Sequence, residues 1–501
     1  MTATDSIIAI AGFLLLAGAF SNKISSRFNL PTLLLFMAAG IFAESILPFN
    51  GENYAGQINF FGIAAMCFIL FSGGSDTSLS SIRPVALRGI LLAMPGVVIT
   101  ALITGIGAFF LLRFEYSFLW CLLLGAIISS TDAAAVFSIL RGKGISLKGD
   151  LKQLLELESG SNDPTAAFLT LLMIGLVLGT GQGIMVEIPL VVYQLGGGIF
   201  AGIFFGWAGR KLFKMKLDYE GLYFVVSVAL VLLCYGLTQL LGANGFMSCY
   251  VCGIYLNSQR YNYQKALCKF HNGIAWLMQV GLFTVLGFLA DPGELISPAI
   301  WIPGVALGLL LMFVARPAAV FICLAKSKYS LKEKLMISWV GIRGAAPIVL
   351  ATFPLAAGVE NAALMFRLIF FMVILSITFQ GWLLMPVAKM LHLAREADDD
   401  DSPAPLELEV TEGSAHQEME EFRVTEKNPI AGKTLAEIGF PKGVLVTMIR
   451  RDGSFIPPGG DTRIQSGDGM LIMAEIPLLQ QVKEQFFTEV STPEKNATAK
   501  H

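Results

Sequence analysis

Charge is scarce in this chain. Asp, Glu, Lys and Arg make up 14% of its 501 residues, against 55% that are hydrophobic. Soluble domains average about 25% charged residues, so most of this chain is expected to lie in lipid. The formal net charge is only −2, which gives no basic surface for nucleic acid and excludes it as a natural partner. Histidine is equally rare. His271, His392, His416 and His501 read as loop, membrane-edge or tail residues, so an imidazole proton carrier at mid-membrane is not expected. The seven cysteines lie in or beside apolar segments. Cys249 and Cys252 form a C-x-x-C, but no second pair or nearby histidine completes a metal site. Buried, inert thiols without a disulfide framework are the expectation. The N-terminal stretch lacks a basic n-region and a small-residue cleavage motif, and reads as a retained first span.

What is present is a series of apolar stretches near the ~20-residue length that crosses a bilayer. Thirteen are expected, at about 6–20, 31–47, 58–73, 85–112, 117–141, 152–180, 186–209, 221–241, 244–257, 273–290, 298–325, 334–357 and 361–392. Basic residues follow the odd-numbered spans: Lys23 and Arg27, Arg83 and Arg88, Arg141 and Lys143, Arg210 and Lys211, Arg260 and Lys265, Lys326 and Lys328. The intervening loops carry Glu44, Glu52, Glu187, Asp291 and Glu360, with Arg113 the exception. By the positive-inside rule the N-terminus is outside and the C-terminal part cytoplasmic, as in a plasma (inner) membrane protein. Spans 5 (LLLGAIISSTDAAAVFSIL) and 12 (KLMISWVGIRGAAPIVLATF) each carry a polar break at mid-depth. Seven spans apart, they enter in opposite senses. The expected fold is therefore an α-helical polytopic protein with two inverted six-helix repeats and crossed broken helices. Gly198, Gly202 and Gly206 form a small-residue ridge on span 7, read as a close helix contact within one protomer.

Charged groups inside these spans need a reason, because each costs several kcal/mol in hydrocarbon. They are Asp132, Glu156, Glu158, Asp163, Arg316 and Arg343. At 1.5 Å per residue, Asp163 lies about 16 Å from the cytoplasmic start of its span, and Asp132 and Arg343 roughly 13 Å from theirs. The three are expected in one layer. Span 6 holds the densest cluster, Glu158-Ser159-Gly160-Ser161-Asn162-Asp163-Pro164. Ser159 and Asp163, four apart, share a helix face, and Pro164 deprives the Gly160 carbonyl of its amide partner. Glu158 is expected to pair with Arg343, with Arg316 as the alternative partner. Asp163 is left as the titratable group. A desolvated carboxylate can hold either a proton or a hard monovalent cation, and nearby oxygens from Thr131, Ser159 and backbone carbonyls can replace the cation's water.

TDAAAVFSIL, ESGSNDP and WVGIRGA resemble the core motifs of the monovalent cation:proton antiporter family, over about residues 6–392. The resemblance implies antiport of potassium or sodium against protons by an elevator-like homodimer embedded in lipid. It also implies that Asp163 binds ion and proton, that Thr131, Asp132, Ser159 and Asn162 help form the site, and that Glu158 pairs with an arginine. Asn162 stands where electrogenic relatives carry a second aspartate, so electroneutral exchange is implied. Ser72, in LFSGGSD, replaces an acid that many relatives carry.

After the transporter segment (1–395), EADDDDSPAP marks an acidic linker over 396–404. From 405 to 490 the pattern becomes alternating β with Asp-Gly and Gly-Asp turns, closed by the helix PLLQQVKEQFF; 491–501 reads as a disordered tail. The order of NPIAGKTLAEIGF, VTMIRRDG, PPGGDTRIQSGD and LIMA is similar to the C-terminal subdomain of potassium-conductance regulators (TrkA-C, or RCK-C). That family's module dimerises and takes a nucleotide or cyclic dinucleotide as a regulator; no catalytic cofactor is expected. AGKT is not a Walker A motif, since position 427 is Lys rather than Gly. A regulated potassium channel is the reading from another class, but no TVGYG-type filter is present. An intramembrane hydrolase lacks a nucleophile–base pair. Potassium is preferred to sodium through the tail's resemblance, with a sodium/proton antiporter as the alternative.

Overall fold

The computed structural model describes residues 12–13, 15–16, 32–46, 55–77, 79–113, 115–141, 145–179, 184–259, 261, 263–288, 292–396, 417–425, 428–451 and 454–487. Most of the expected first span, Lys23, Arg27, Glu52, Lys143, Arg260, Asp291, most of the acidic linker and residues 491–501 lie outside them. The chain divides into two units at Ala397/Asp398.

The first unit is helical: α1 (Thr32–Ile46), α2 (Ala55–Asp76), α3 (Ala86–Leu111), α4 (Phe118–Ile128), α5 (Ala133–Arg141), α6 (Leu151–Val177), α7 (Ile184–Lys214), α8 (Gly221–Leu240), α9 (Gly245–Asn257), α10 (Gln264–Phe288), α11 (Pro298–Cys323), α12 (Leu331–Trp339), α13 (Ala345–Ala356) and α14 (Ala362–Met390). Among the described residues, five helices are long and apolar enough to cross a membrane: those at Gly56–Asp76, Ala86–Leu111, Gly221–Leu240, Pro298–Cys323 and Ala362–Met390. Large apolar side chains such as Phe60, Phe200 and Leu240 face outward, more than 70% exposed in the isolated chain. A small antiparallel pair, β1 (Ile145–Leu147) with β2 (Ala394–Glu396), ties the end of α14 to the start of α6. Glu396, read as the start of the linker, belongs to that strand.

The helices pack as two bundles. α1, α2, α7, α8, α9 and α10 form one, and α3 to α6 with α11 to α14 form the other. Backbones approach closely where glycine permits. A Cβ on Gly253 of α9 would overlap the Phe71 carbonyl of α2, and one on Gly74 of α2 would overlap the Tyr250 carbonyl of α9. The ridge Gly198, Gly202 and Gly206 of α7 packs on Asn244, Ser248 and Tyr255 around α9, a contact within the chain. α3 and α11 each contain a π-helical turn, Leu92–Gly96 around Pro95 and Leu311–Ala315 just before Arg316-Pro317. Proline at or just beyond the turn removes an amide donor, the usual origin of such irregularity.

His271 departs from the sequence reading. It lies within α10 rather than in a loop, 2% exposed, edge-on to Phe71 and stacked near Phe68. Lys265, Lys269 and His271 depress hydropathy there, so the apolar window begins later than the helix.

The second unit is a four-stranded antiparallel sheet in the order β3-β6-β4-β5, with β3 (Gln417–Arg423), β4 (Leu445–Arg451), β5 (Ser454–Ile456) and β6 (Gly469–Glu475). The closing helix begins at Ile476. Its core gathers Phe422, Ile449, Met470, Ile472 and Leu479. Buried Asp468 receives both Nε and Nη2 of Arg451, at 2.8 and 2.7 Å. Thr434 of the AGKT segment is an N-cap, exchanging hydrogen bonds with Glu437. The backbone and side-chain donors of Thr434 hold the Glu437 carboxyl below its ordinary pKa.

The α2–α9 contact generates a stability test. Gly253→Ala should force the two backbones apart and cost about 1–3 kcal/mol, seen as a lower Tm of the full-length protein in detergent. Gly196→Ala, where an added Cβ meets nothing within 4 Å, should leave Tm unchanged or slightly raised.

Candidate functional site

The polar stretches in expected spans 5 and 12 are breaks between helices, α4/α5 at residues 129–132 and α12/α13 at 340–344. A broken helix leaves backbone groups unpaired, and lipid offers them no water. The two breaks satisfy each other. The Asp132 amide donates to the Ile342 carbonyl at 2.8 Å. Nη1 of Arg343 donates to the carbonyls of Ser129 and Ser130, at 2.6 and 2.7 Å, placing a cation at the negative C-terminal end of α4. The Arg343 amide is held in turn by Ser376 Oγ of α14 at 3.0 Å, and Gln380 reaches the Trp339 carbonyl at 3.0 Å. The Asp132 carboxylate lies where a Cβ of Gly344 would be. Gly344 is the N-cap of α13, so the negative charge faces that helix's positive end.

α6 closes the site from the side. Ser159 Oγ accepts from the Ala133 amide and donates to the Thr131 carbonyl, both at 3.0 Å. Asn162 Nδ2 donates to Thr131 Oγ1 at 2.6 Å, while its buried Oδ1 has no hydrogen-bond partner. Ser130 Oγ donates to Asp163 Oδ1 at 2.6 Å. Thr131, Asp132, Ser159, Asn162 and Asp163 are thus brought together within hydrogen-bond networks around the α4/α5 break.

Glu158 takes the other partner considered for it. Its carboxylate binds Arg316 in a two-pronged pair, Nη1 to Oε1 at 2.5 Å and Nη2 to Oε2 at 2.9 Å, not Arg343. Both residues are almost fully buried, and Arg316 also donates to the Ile337 carbonyl at 3.3 Å. The π-turn immediately before Arg316 lies outside regular helical spacing. Arg343, in the break, faces the α4 carbonyls instead.

Four contributors were not legible in the sequence. Ser130 sits in the S-S-T-D run that marked the break, where its neighbours Thr131 and Asp132 were the more conspicuous. Ser376 lies inside an otherwise apolar helix. Tyr250 of α9 is 2% exposed, with its ring against Gly160 of α6 and its hydroxyl unpartnered. Asn244 caps α9 by accepting from the Met247 amide and donates Nδ2 to the Pro164 carbonyl, both at 3.0 Å. Ser72 donates to Asn272, which reaches Asp76. Cys249 and Cys252 are buried free thiols.

The assignment of Glu158 yields a double-mutant test. Glu158→Gln or Arg316→Gln alone strands a buried charge and should cost roughly 3–5 kcal/mol, whereas the double variant should lose far less than the sum. The coupling measured by thermal unfolding should be larger for Glu158 with Arg316 than for Glu158 with Arg343; the reverse order would contradict the observed pairing.

Comparison with known proteins gives this arrangement a family. Residues 11–390 match the family described as sodium/hydrogen exchanger, transmembrane, and residues 419–486 match the TrkA-C domain. The chain is 34% identical over 505 residues to the K(+)/H(+) antiporter NhaP2 of Shewanella sp. (strain ANA-3), covering 98% of this chain and 85% of that protein. It is 33% identical over 495 residues to the K(+)/H(+) antiporter NhaP of Alkalimonas amylolytica, covering 96% and 84%. The first unit's fold is that of the sodium proton antiporter MjNhaP1 from Methanocaldococcus jannaschii, with TM-score 0.66 at 23% identity over 76% of this chain and 100% of that one. The chain belongs to the sodium/hydrogen exchanger family of membrane transporters.

Proposed function

We propose that this protein is an electroneutral potassium/proton antiporter in which Asp163 alternately holds a cation and a proton. One observation carries the reading: the charges around the site are committed, and Asp163 is not. Glu158 is spent on Arg316, Asp132 faces the start of α13, and Arg343 is spent on backbone carbonyls. Among the described residues, Asp163 has only a serine hydroxyl as side-chain donor. Arginine cannot surrender its proton, so the exchangeable proton belongs to a carboxyl group. The oxygens of Asn162, Thr131 and Ser130, with the Gly160 carbonyl freed by Pro164, supply what a partly dehydrated monovalent cation requires.

Asn162 beside Asp163 leaves one ionisable group in the pair, which supports one proton for one cation. Potassium is favoured over sodium by the relatives named as potassium/proton antiporters and by the TrkA-C match. Thirteen membrane helices in two inverted repeats are supported by features recurring seven spans apart: the two helix breaks, and the π-turns of α3 and α11. The alternation of basic loops supports an inner-membrane orientation with the N-terminus outside and the TrkA-C unit cytoplasmic. A homodimer whose TrkA-C unit answers to a nucleotide or cyclic dinucleotide completes the reading.

Asp163→Asn should abolish cation-dependent proton movement in reconstituted vesicles while leaving the protein folded, because an amide does not titrate. Retained exchange would sink the assignment. Deleting residues 400–501 should leave ion selectivity unchanged and shift the pH at which exchange switches on. An unchanged pH profile would make the tail a dimerisation module instead.

A further inference from the structure

A regular α-helix bonds the amide of each residue to the carbonyl four residues earlier. At the α12/α13 break one such pair is the Arg343 amide and the Trp339 carbonyl. Each is bonded instead to a side chain of α14, and those two side chains are bonded to one another. The Arg343 amide donates to Ser376 Oγ at 3.0 Å, Ser376 Oγ donates to Gln380 Oε1 at 2.5 Å, and Gln380 Nε2 donates to the Trp339 carbonyl at 3.0 Å. Ser376 and Gln380 stand four apart, on one face of α14, and both are buried. The direction of the chain is fixed by its ends. Ser376 accepts from an amide and passes its own hydrogen to Gln380, whose nitrogen then faces the carbonyl. Three bonds replace one opened helical bond.

The first break is treated alike from α6. Ser159 Oγ accepts from the amide of Ala133, the first residue of α5, and donates to the Thr131 carbonyl. Each serine takes an amide at the far side of a break, and each stands four residues before a polar side chain. That side chain is Asp163 after Ser159 and Gln380 after Ser376. In α6 it is an acid that accepts from the Ser130 hydroxyl. In α14 it is a neutral carboxamide with both ends engaged.

We propose that Ser376 and Gln380 are positioning residues for the exchange site, whose relay holds the α12/α13 break open and so keeps Arg343 on the α4 carbonyls and Ile342 on the Asp132 amide. Both act through the backbone of the break rather than on the cation. Without the Ser376 hydroxyl the Arg343 amide is stranded where no water can reach it. The partner a regular helix would give it is the Trp339 carbonyl. Forming that bond turns the segment 340–343 towards helix and draws Ile342 and Arg343 off the first break. The binding arrangement then becomes one of two states, and apparent affinity falls with the fraction of molecules that keep the break open.

The proposal rests on Asp163 as the exchange site, and its test separates KM from maximal rate in full-length protein reconstituted in vesicles. Ser376→Ala should raise KM for potassium by roughly five- to tenfold, the worth of about one hydrogen bond. The maximal rate should change far less, because saturating cation restores the open break. Gln380→Met cuts the relay at its other end and should shift KM alike. Combining the two should be no worse than the larger single change, since the relay acts as one unit. Ser376→Thr keeps the hydroxyl and should restore KM; where its added methyl disturbs folding, the two single variants and the double decide. An unchanged KM in Ser376→Ala, a fall in maximal rate alone, or additive shifts in the double variant would overturn the proposal. Retained exchange in Asp163→Asn would strike the site assignment instead, and the non-additive KM shift would still report the relay's hold on the break.

Discussion

A helix broken inside a membrane leaves carbonyls that only protein can satisfy, and here Arg343 satisfies them. One terminal nitrogen of its guanidinium bridges the Ser129 and Ser130 carbonyls, and the adjacent Asp132–Ile342 backbone bond stitches the second break to the first. Without this mutual satisfaction the unpaired groups would cost several kcal/mol each in a water-free layer. Crossing the breaks sets helix ends of both polarities, backbone carbonyls and small hydroxyls at one depth. The Ser159 and Asn162 contacts then fasten α6 to that crossing, so the placement of Asp163 follows from the breaks.

The remaining charges divide the labour by commitment. A buried ion pair contributes little net stability but is costly to leave half-made, so Glu158 and Arg316 act best as a fixed, mutually neutralising unit. Asp132 is balanced by the start of α13. Asp163 accepts from a single hydroxyl, that of Ser130, with Asp132 in the same site; on the proposed reading a proton and a cation substitute for one another there. The proposed exchange needs one carboxyl group left without an ionic partner, and the hydrogen bonds around Asp163 leave it with the Ser130 hydroxyl as side-chain donor among the described residues.

Much of this was legible in the sequence because lipid is an exacting solvent. Composition alone placed the first unit in the membrane, and polar interruptions in two otherwise apolar stretches marked both helix breaks. Depth arithmetic brought Asp132, Asp163 and Arg343 to one layer. What the sequence could not carry was direction around each helix. Whether Glu158 met Arg316 or Arg343 depended on how α11 and α6 each pack on α3, next to a π-turn that no periodic pattern reveals. His271 was misplaced because two lysines mask the start of α10. Tyr250 and Asn244 were overlooked because their significance lies in which glycine or carbonyl they face across an interface. In the second unit, strands were readable from alternation and turn residues, since a half-exposed sheet keeps the period of two.

The central claim is competition between one proton and one cation at Asp163. The most direct measurement is calorimetry of potassium binding to the purified protein in buffers of differing ionisation enthalpy, which counts protons released per cation bound. The account predicts release that approaches one proton per cation when the pH keeps Asp163 protonated, and none in Asp163→Asn. Potassium binding with no proton released at any pH, or undiminished release in Asp163→Asn, would contradict it.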